Sequence, residues 1–227
     1  MVRLGAGAGR DTVVAMRINI PIFDGFDELD AIGPYEVFRN AAQGGGAFTV
    51  QLVTHQPTDV VAGSHGLRVV PDGHFAPGAD MILVPGGSWL ARSDVGVWGE
   101  VQRGAWLSPL ADAARQGTVM ASVCTGAMLL ARAGVIGHRR AATHRSAWDD
   151  LAATGATVVR DRVVDDGDLV TAGGVTSGLD LALWIVERFG SVGLANAVAD
   201  QMEYGRARPT TAPGLYPGPG IGAPSRN

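Results

Sequence analysis

One stretch constrains this 227-residue chain more than any other: Thr118 to Ala133, TVMASVCTGAMLLARA. Val119, Met120, Ala121 and Val123 form a short apolar run after Gly117 that reads as a buried strand. Gly126 then opens a helical pattern through Ala127, Met128, Leu129 and Leu130. Cys124, the chain's one cysteine, falls where strand becomes helix. A side chain in such a turn is lifted clear of the sheet, and the N–H groups of the new helix, which begins at Gly126, favour negative charge beside it. The expectation is a nucleophile that ionises more easily than a free thiol, whose pKa is about 8.5. The alternative is a small, inert, buried apolar residue.

A strand that feeds a helix needs neighbours of the same kind, and the chain supplies them. Met81 to Val84 form a second short apolar strand ending in Pro85-Gly86-Gly87, and Ser108 to Gly117 reads as the helix that completes a βαβ unit. Gly86 and Gly87 let backbone N–H groups approach a ligand or developing anion closely, which makes them candidate oxyanion residues; a simple turn is the other reading. Further upstream, Arg17 to Phe23 is a strand, Asp24-Gly25 a turn, and Phe26 to Ala42 an amphipathic helix that directs Leu29, Ile32, Val37 and Phe38 inward. Gly33-Pro34 disturbs that helix early. Asp30 lies near its start, on the side where the catalytic loops of an open α/β sheet gather; equally, Asp27, Glu28 and Asp30 are the acids that a helix dipole favours in a first turn. Ala47 to His55 and Leu67 to Val70 read as further strands.

Downstream of the cysteine, Arg140 to His144 reads as a short strand ending in His144, a candidate neighbour of the thiol that either takes a proton or donates a hydrogen bond. Ser146 is positioned to cap a helix running to Gly155, with Asp149 three residues on. Thr157 to Val164 and Leu169 to Ala172 suggest a hairpin about Asp165-Asp166-Gly167-Asp168, read as a solvated turn because it lacks the regular ligand spacing of a calcium loop. Gly173, Gly174 and Gly178 lead into a helix whose Leu179 to Val186 are almost all apolar, which belongs in the interior or at a subunit interface; Val192 to Tyr204 is the last helix.

Composition narrows the function. With 46% hydrophobic and 18% charged residues, the chain can bury a core as one domain, expected over 16–208. Residues 1–15, rich in Gly and Ala, read as a disordered lead, and the Pro/Gly-rich stretch 209–227 as an extended tail. A formal net charge of −4 and no basic cluster interleaved with aromatics argue against nucleic acid as a partner. No apolar run reaches the roughly 18 residues of a membrane span, and a lone cysteine cannot close an internal disulfide, so the expectation is a cytoplasmic protein. No zinc spacing and no phosphate-binding loop occur, so no metal site is expected.

Taken jointly, LDAIGP around Asp30, the PGG at Pro85 to Gly87, SVCTG at Ser122 to Gly126, ATH at Ala142 to His144 and GGVTSGLD at Gly173 to Asp180 resemble the DJ-1/PfpI superfamily, and within it the isocyanide hydratase branch. The resemblance spans roughly residues 16 to 205. It implies a flavodoxin-like three-layer α/β/α sandwich with a mainly parallel sheet, usually a homodimer, and a cysteine in a nucleophile elbow. It assigns the nucleophile to Cys124, the carboxylate partner to Asp30 and an essential hydroxyl to Thr125, with Gly86, Gly87, Gly126 and His144 shaping the substrate or oxyanion pocket. It implies hydration of a small isocyanide to an N-substituted formamide through a covalent thioimidate, with neither metal nor organic cofactor. Many relatives carry glutamate where this chain has Asp30, a departure that favours the hydratase branch. The alternatives within the family are a redox sensor in which Cys124 is oxidised, and a glyoxalase-type hydratase of methylglyoxal using Cys124 with His144. Regulators of the family append a DNA-binding helix-turn-helix, which the tail from Pro209 is too short to form.

Overall fold

The structure, a computed structural model, describes residues 15–211. In chain order the elements are β1 (Met16–Pro21), α1 (Glu28–Gln43), β2 (Phe48–Thr54), β3 (Val61–Ala62), β4 (Arg68–Val69), β5 (Gly73–His74), β6 (Met81–Val84), α2 (Gly96–Arg103), α3 (Leu107–Arg115) and β7 (Val119–Ser122). They continue with α4 (Gly126–Arg132), β8 (Arg140–Ala141), α5 (Trp148–Ala153), β9 (Thr157–Val158), β10 (Val163–Asp165), β11 (Leu169–Ala172), α6 (Ser177–Phe189), α7 (Val192–Gln201) and β12 (Thr210–Thr211).

Eight strands form one sheet in the order β12-β10-β11-β7-β6-β1-β2-β5. Every pairing in it is parallel except β10 with β11. The central strands are apolar on both faces because helices cover both: Ile18, Ile20, Met81 to Val84, Met120 and Ala121 are all buried. Helices α1, α6 and α7 pack together on one face, and α2, α3 and α5 gather around α4 on the other. The result is the three-layer sandwich that the family resemblance implies.

Register positions the site. Val84 at the end of β6 pairs with Ser122 at the end of β7, and Thr171 of β11 pairs with the same Ser122. Pro85-Gly86-Gly87, Val123-Cys124-Thr125 and Gly173-Gly174 therefore emerge side by side at the carboxyl edge of the sheet, where open α/β sheets place their ligands.

Several local expectations are corrected. The helix expected over 108–117 is preceded by another, α2, and β9 pairs in parallel with β8 instead of extending the hairpin. Helix α1 runs through Gly33-Pro34 to Gln43 and buries Asp30, Ala31, Gly33, Pro34, Val37, Phe38 and Ala41, while Leu29 is 40% exposed. The reason is packing against α6: a Cβ on Gly33 would lie 3.2 Å from Leu179, and one on Gly178 would lie 3.3 Å from Pro34. Ser146 caps no helix; its N–H instead donates to His144 Nδ1 at the start of a short 3-10 turn, and α5 begins after Ala147. Asp165 is not solvated. It is buried and accepts from Trp184 Nε1 at 2.7 Å and from Arg188 at 3.2 Å. The mostly apolar run Leu179 to Val186 of α6 takes the interior place that was one of its two expected sites: Leu181 to Val186 are buried within this chain, and so is Asp180. Thr210–Thr211, at the start of the stretch read as an extended tail, pair with β10 at the sheet edge. Residues 1–14 and 212–227 lie outside the described residues.

Candidate active site

Cys124 sits between β7 and α4 with φ +56°. A non-glycine residue rarely occupies that region, and it does so where the surroundings over-determine it. Here they do. Its N–H donates to the carbonyls of Ala172 and Gly173, at 3.1 and 2.7 Å, and its own carbonyl accepts from the Thr143 hydroxyl at 2.9 Å. Gly126 allows the following helix to approach β6, since a Cβ there would lie 2.2 Å from the Val84 carbonyl oxygen.

Asp30, in the first turn of α1, is fully buried. Its Oδ2 accepts the Gly86 N–H at 2.8 Å, and its carboxyl interacts with the Cys124 thiol, yet Oδ1 has no hydrogen-bond partner among the described residues. Burial raises the Asp30 pKa well above the ordinary carboxylate range, the charge of Asp27 adds to that rise, and the Gly86 N–H and Cys124 oppose it. Buried Thr125 accepts the Gly87 N–H on Oγ1 at 3.0 Å. The structure thus brings Cys124, Asp30, Thr125, Gly86, Gly87 and Gly126 together. All three glycine N–H groups are committed internally: Gly86 to Asp30, Gly87 to Thr125 and Gly126 to the Val123 carbonyl.

The acidified thiol is the expectation that fails. Burial pushes the Cys124 pKa far up, and the Asp30 charge pushes it further. The N–H groups of Thr125 and Val175 pull it down, with less effect. The turn does point amides at the sulfur, but a buried thiol beside a carboxyl holds its proton more tightly than an exposed one. Thiol and carboxyl are therefore a coupled pair that shares protons.

His144 stands apart from that pair. Its Nδ1 is engaged by Ser146, 2.7 Å from the hydroxyl and 3.2 Å from the backbone N–H, and burial together with the Arg145 charge lowers its pKa. Its ring packs against Gly174. Three contributors were given no role in the site by the sequence reading: Thr143, Val175 and Asp27. Thr143 and Val175 lie inside the ATH and GGVTSGLD motifs, and Asp27 reads as a first-turn acid. Asp27 caps α1, donates its N–H to the Gly86 carbonyl at 2.8 Å, and its charge reaches both Asp30 and Cys124.

Among the described residues, Asp27, Glu28 and His65 are the acid and imidazole group with ligand atoms within 4.8 Å of one another. Glu28 is already engaged, by the His65 and Leu67 N–H groups on Oε1 and by Ser64 and the His65 ring on Oε2. It clamps the loop between β3 and β4 onto the start of α1.

The family model for DJ-1/PfpI matches residues 16–188. The chain belongs to the DJ-1/PfpI family. An isonitrile hydratase of Pseudomonas putida is 35% identical to this DJ-1/PfpI chain over 198 residues, 86% of this chain and 82% of that one. A ThiJ/PfpI family protein from Pseudomonas syringae superposes with a TM-score of 0.76 at 26% identity, covering 91% of this chain and 84% of the other. Drosophila melanogaster DJ-1beta shares the fold at a TM-score of 0.73 and 21% identity, over 85% of this chain and all of its own. No helix among the described residues of this DJ-1/PfpI protein is long and apolar enough to cross a membrane.

Proposed function

We propose that this protein is an isocyanide hydratase-type lyase that converts an isocyanide into its N-substituted formamide, with Cys124 as nucleophile and Asp30 as proton carrier. The observation that carries this reading is the buried Asp30 carboxyl facing the Cys124 thiol, with one oxygen held by Gly86 and the other free to exchange a proton. The 35% identity to an isonitrile hydratase supports it.

The chemistry follows from that pair. As the sulfur attacks the terminal isocyanide carbon, its proton passes to Asp30 and from there to the same carbon, giving a thioimidate with no net change in charge. The N–H groups of Thr125 and Val175 stabilise the sulfur while it is negative. Asp30 then takes a proton from water as the water oxygen adds to the carbon, and returns it to nitrogen. The C–S bond breaks, the sulfur regains the hydroxyl proton through Asp30, and the formamide leaves. A carboxyl with a raised pKa suits a group that must both give and take protons near neutral pH. Thr125, held by Gly87, fixes the turn that presents the sulfur.

A redox-sensing role for Cys124 fits less well, because sensor cysteines are exposed and acidic whereas this one is buried and holds its proton. We propose that the protein is a homodimer, which light scattering tests. The deciding experiment incubates the protein with an alkyl isocyanide and follows the formamide by mass spectrometry. Wild type should form it and trap a covalent adduct on Cys124; Cys124→Ser should do neither while remaining folded by circular dichroism. Lactate from methylglyoxal without formamide would overturn the assignment.

A further inference from the structure

Beside the Cys124 turn, Arg145, Arg160 and Arg162 line a cavity of about 410 Å³ together with His144, Gly173 and Gly174. It adjoins the reacting sulfur through the backbone: Gly173 accepts the Cys124 N–H, and the Val175 N–H that follows Gly174 acts on the thiol. Thr143, another lining residue, bonds the Cys124 carbonyl.

The three guanidinium groups are not equivalent. Arg162 is neutralised by buried Asp180, which accepts from its Nε at 2.6 Å, and it is also tied to the Tyr204 hydroxyl at 3.1 Å. Arg160 lies over the Trp148 ring at 4.5 Å, so the ring orients it without occupying its N–H groups. Neither Arg145 nor Arg160 has a carboxylate or hydrogen-bond partner among the described residues. Asp161 also lines the cavity, but its two oxygens already accept from the Arg162 N–H and the Thr210 hydroxyl. Three cations against Asp161 and Asp180 leave one net positive charge.

We propose that this cavity holds a carboxylate on the substrate, so that the molecules hydrated at Cys124 are isocyano acids rather than wholly apolar isocyanides. The inference rests on the hydratase reading for the reaction, but not for the binding of the anion. A guanidinium fork matches a carboxylate in geometry, and one net charge matches a monoanion.

The test separates binding from turnover. N-formylglycinate and its methyl ester, a product analogue and its uncharged counterpart, are titrated calorimetrically into the full-length protein and into Arg145→Gln/Arg160→Gln. Turnover of isocyanoacetate and 4-isocyanobenzoate is compared with that of their methyl esters. Binding of the carboxylate should be about tenfold tighter than that of the ester, the size of one charge-assisted hydrogen bond. The double variant should lose that preference, and in kcat/KM it should lose the acids while keeping the esters. Equal binding of acid and ester, no binding of either at millimolar concentration, or a preference that survives the double variant overturns the proposal. A carboxylate preference with no turnover of any isocyanide supports the anion site and overturns the hydratase assignment instead.

Discussion

Gly86 donates its N–H to Asp30 Oδ2 at 2.8 Å, so the end of β6 holds the carboxyl of α1 against the thiol of the next strand's turn. A side chain at position 86 would break this join. A Cβ there would lie 2.6 Å from Thr125 N, 2.7 Å from Thr125 Oγ1 and 2.8 Å from Asp30 Oδ2. Gly86→Ala should fold, as judged by circular dichroism, and lose about 10²-fold in turnover, the scale of a misplaced reacting group. Wild-type kinetics in this variant would detach the glycine from the site.

Asp30 and His144 are separated by their surroundings, and their variants should separate too. Asp30→Asn keeps the shape of the carboxyl but cannot carry a proton, so turnover should fall by about 10²- to 10⁴-fold while Cys124 remains alkylatable. His144→Asn should cost less, because His144 Nδ1 is engaged by Ser146 and the ring lies against Gly174. Measured on both an isocyanide and methylglyoxal, a larger loss at His144 would shift the proton carrier to the histidine.

Asp27 tunes the pair from the helix cap. Its charge raises the Asp30 pKa, so removing that charge lowers it, and the base form of Asp30 becomes available at lower pH. Asp27→Asn should therefore shift the acid limb of kcat/KM to lower pH. Stability should change little, because asparagine caps a helix as well as aspartate does. An unmoved or oppositely moved limb would count against the coupling.

Glu28 provides a stability prediction. Burial tends to raise its pKa, but hydrogen bonds from the His65 ring and from backbone N–H groups outweigh burial and lower it from 4.5 to about 2. A carboxyl held down in the folded state stabilises it fully above the unfolded value, and that contribution is lost as pH falls through the folded one. Glu28→Gln should lower Tm at neutral pH, and the gap from wild type should narrow as pH drops from 4.5 toward 2. His65 titrates in the opposite sense: Glu28 raises its pKa, so its contribution fades as pH rises through that raised value. A Tm gap that is constant across the acid range would show that the clamp does not depend on charge.

The sequence by itself determined the alternation of apolar strand and helix, the strand-to-helix turn at Cys124 and the place of Asp30 at a helix start, because each depends on neighbours within a few residues. It also carried the family, through motifs that are local but occur together in a set order. Tertiary structure decided what those residues experience. Cys124 holds its proton because the fold buries it and, second to that, because it sets the Asp30 carboxyl of a distant helix beside it; no local signal sets either. Asp165 reads as a turn acid and is instead buried between Trp184 and Arg188, partners that α6 brings across the sheet. Val175 reaches the turn because β7 and β11 lie side by side, Thr143 because the Ala142 N–H after β8 is held by Thr171 of β11, and the arginines by His144 share one cavity only because the segment before β10 folds against the start of α5. Periodicity fixes which face a side chain takes within its own element; charge, solvation and proton affinity depend on what other elements bring to that face, and only the folded chain specifies it.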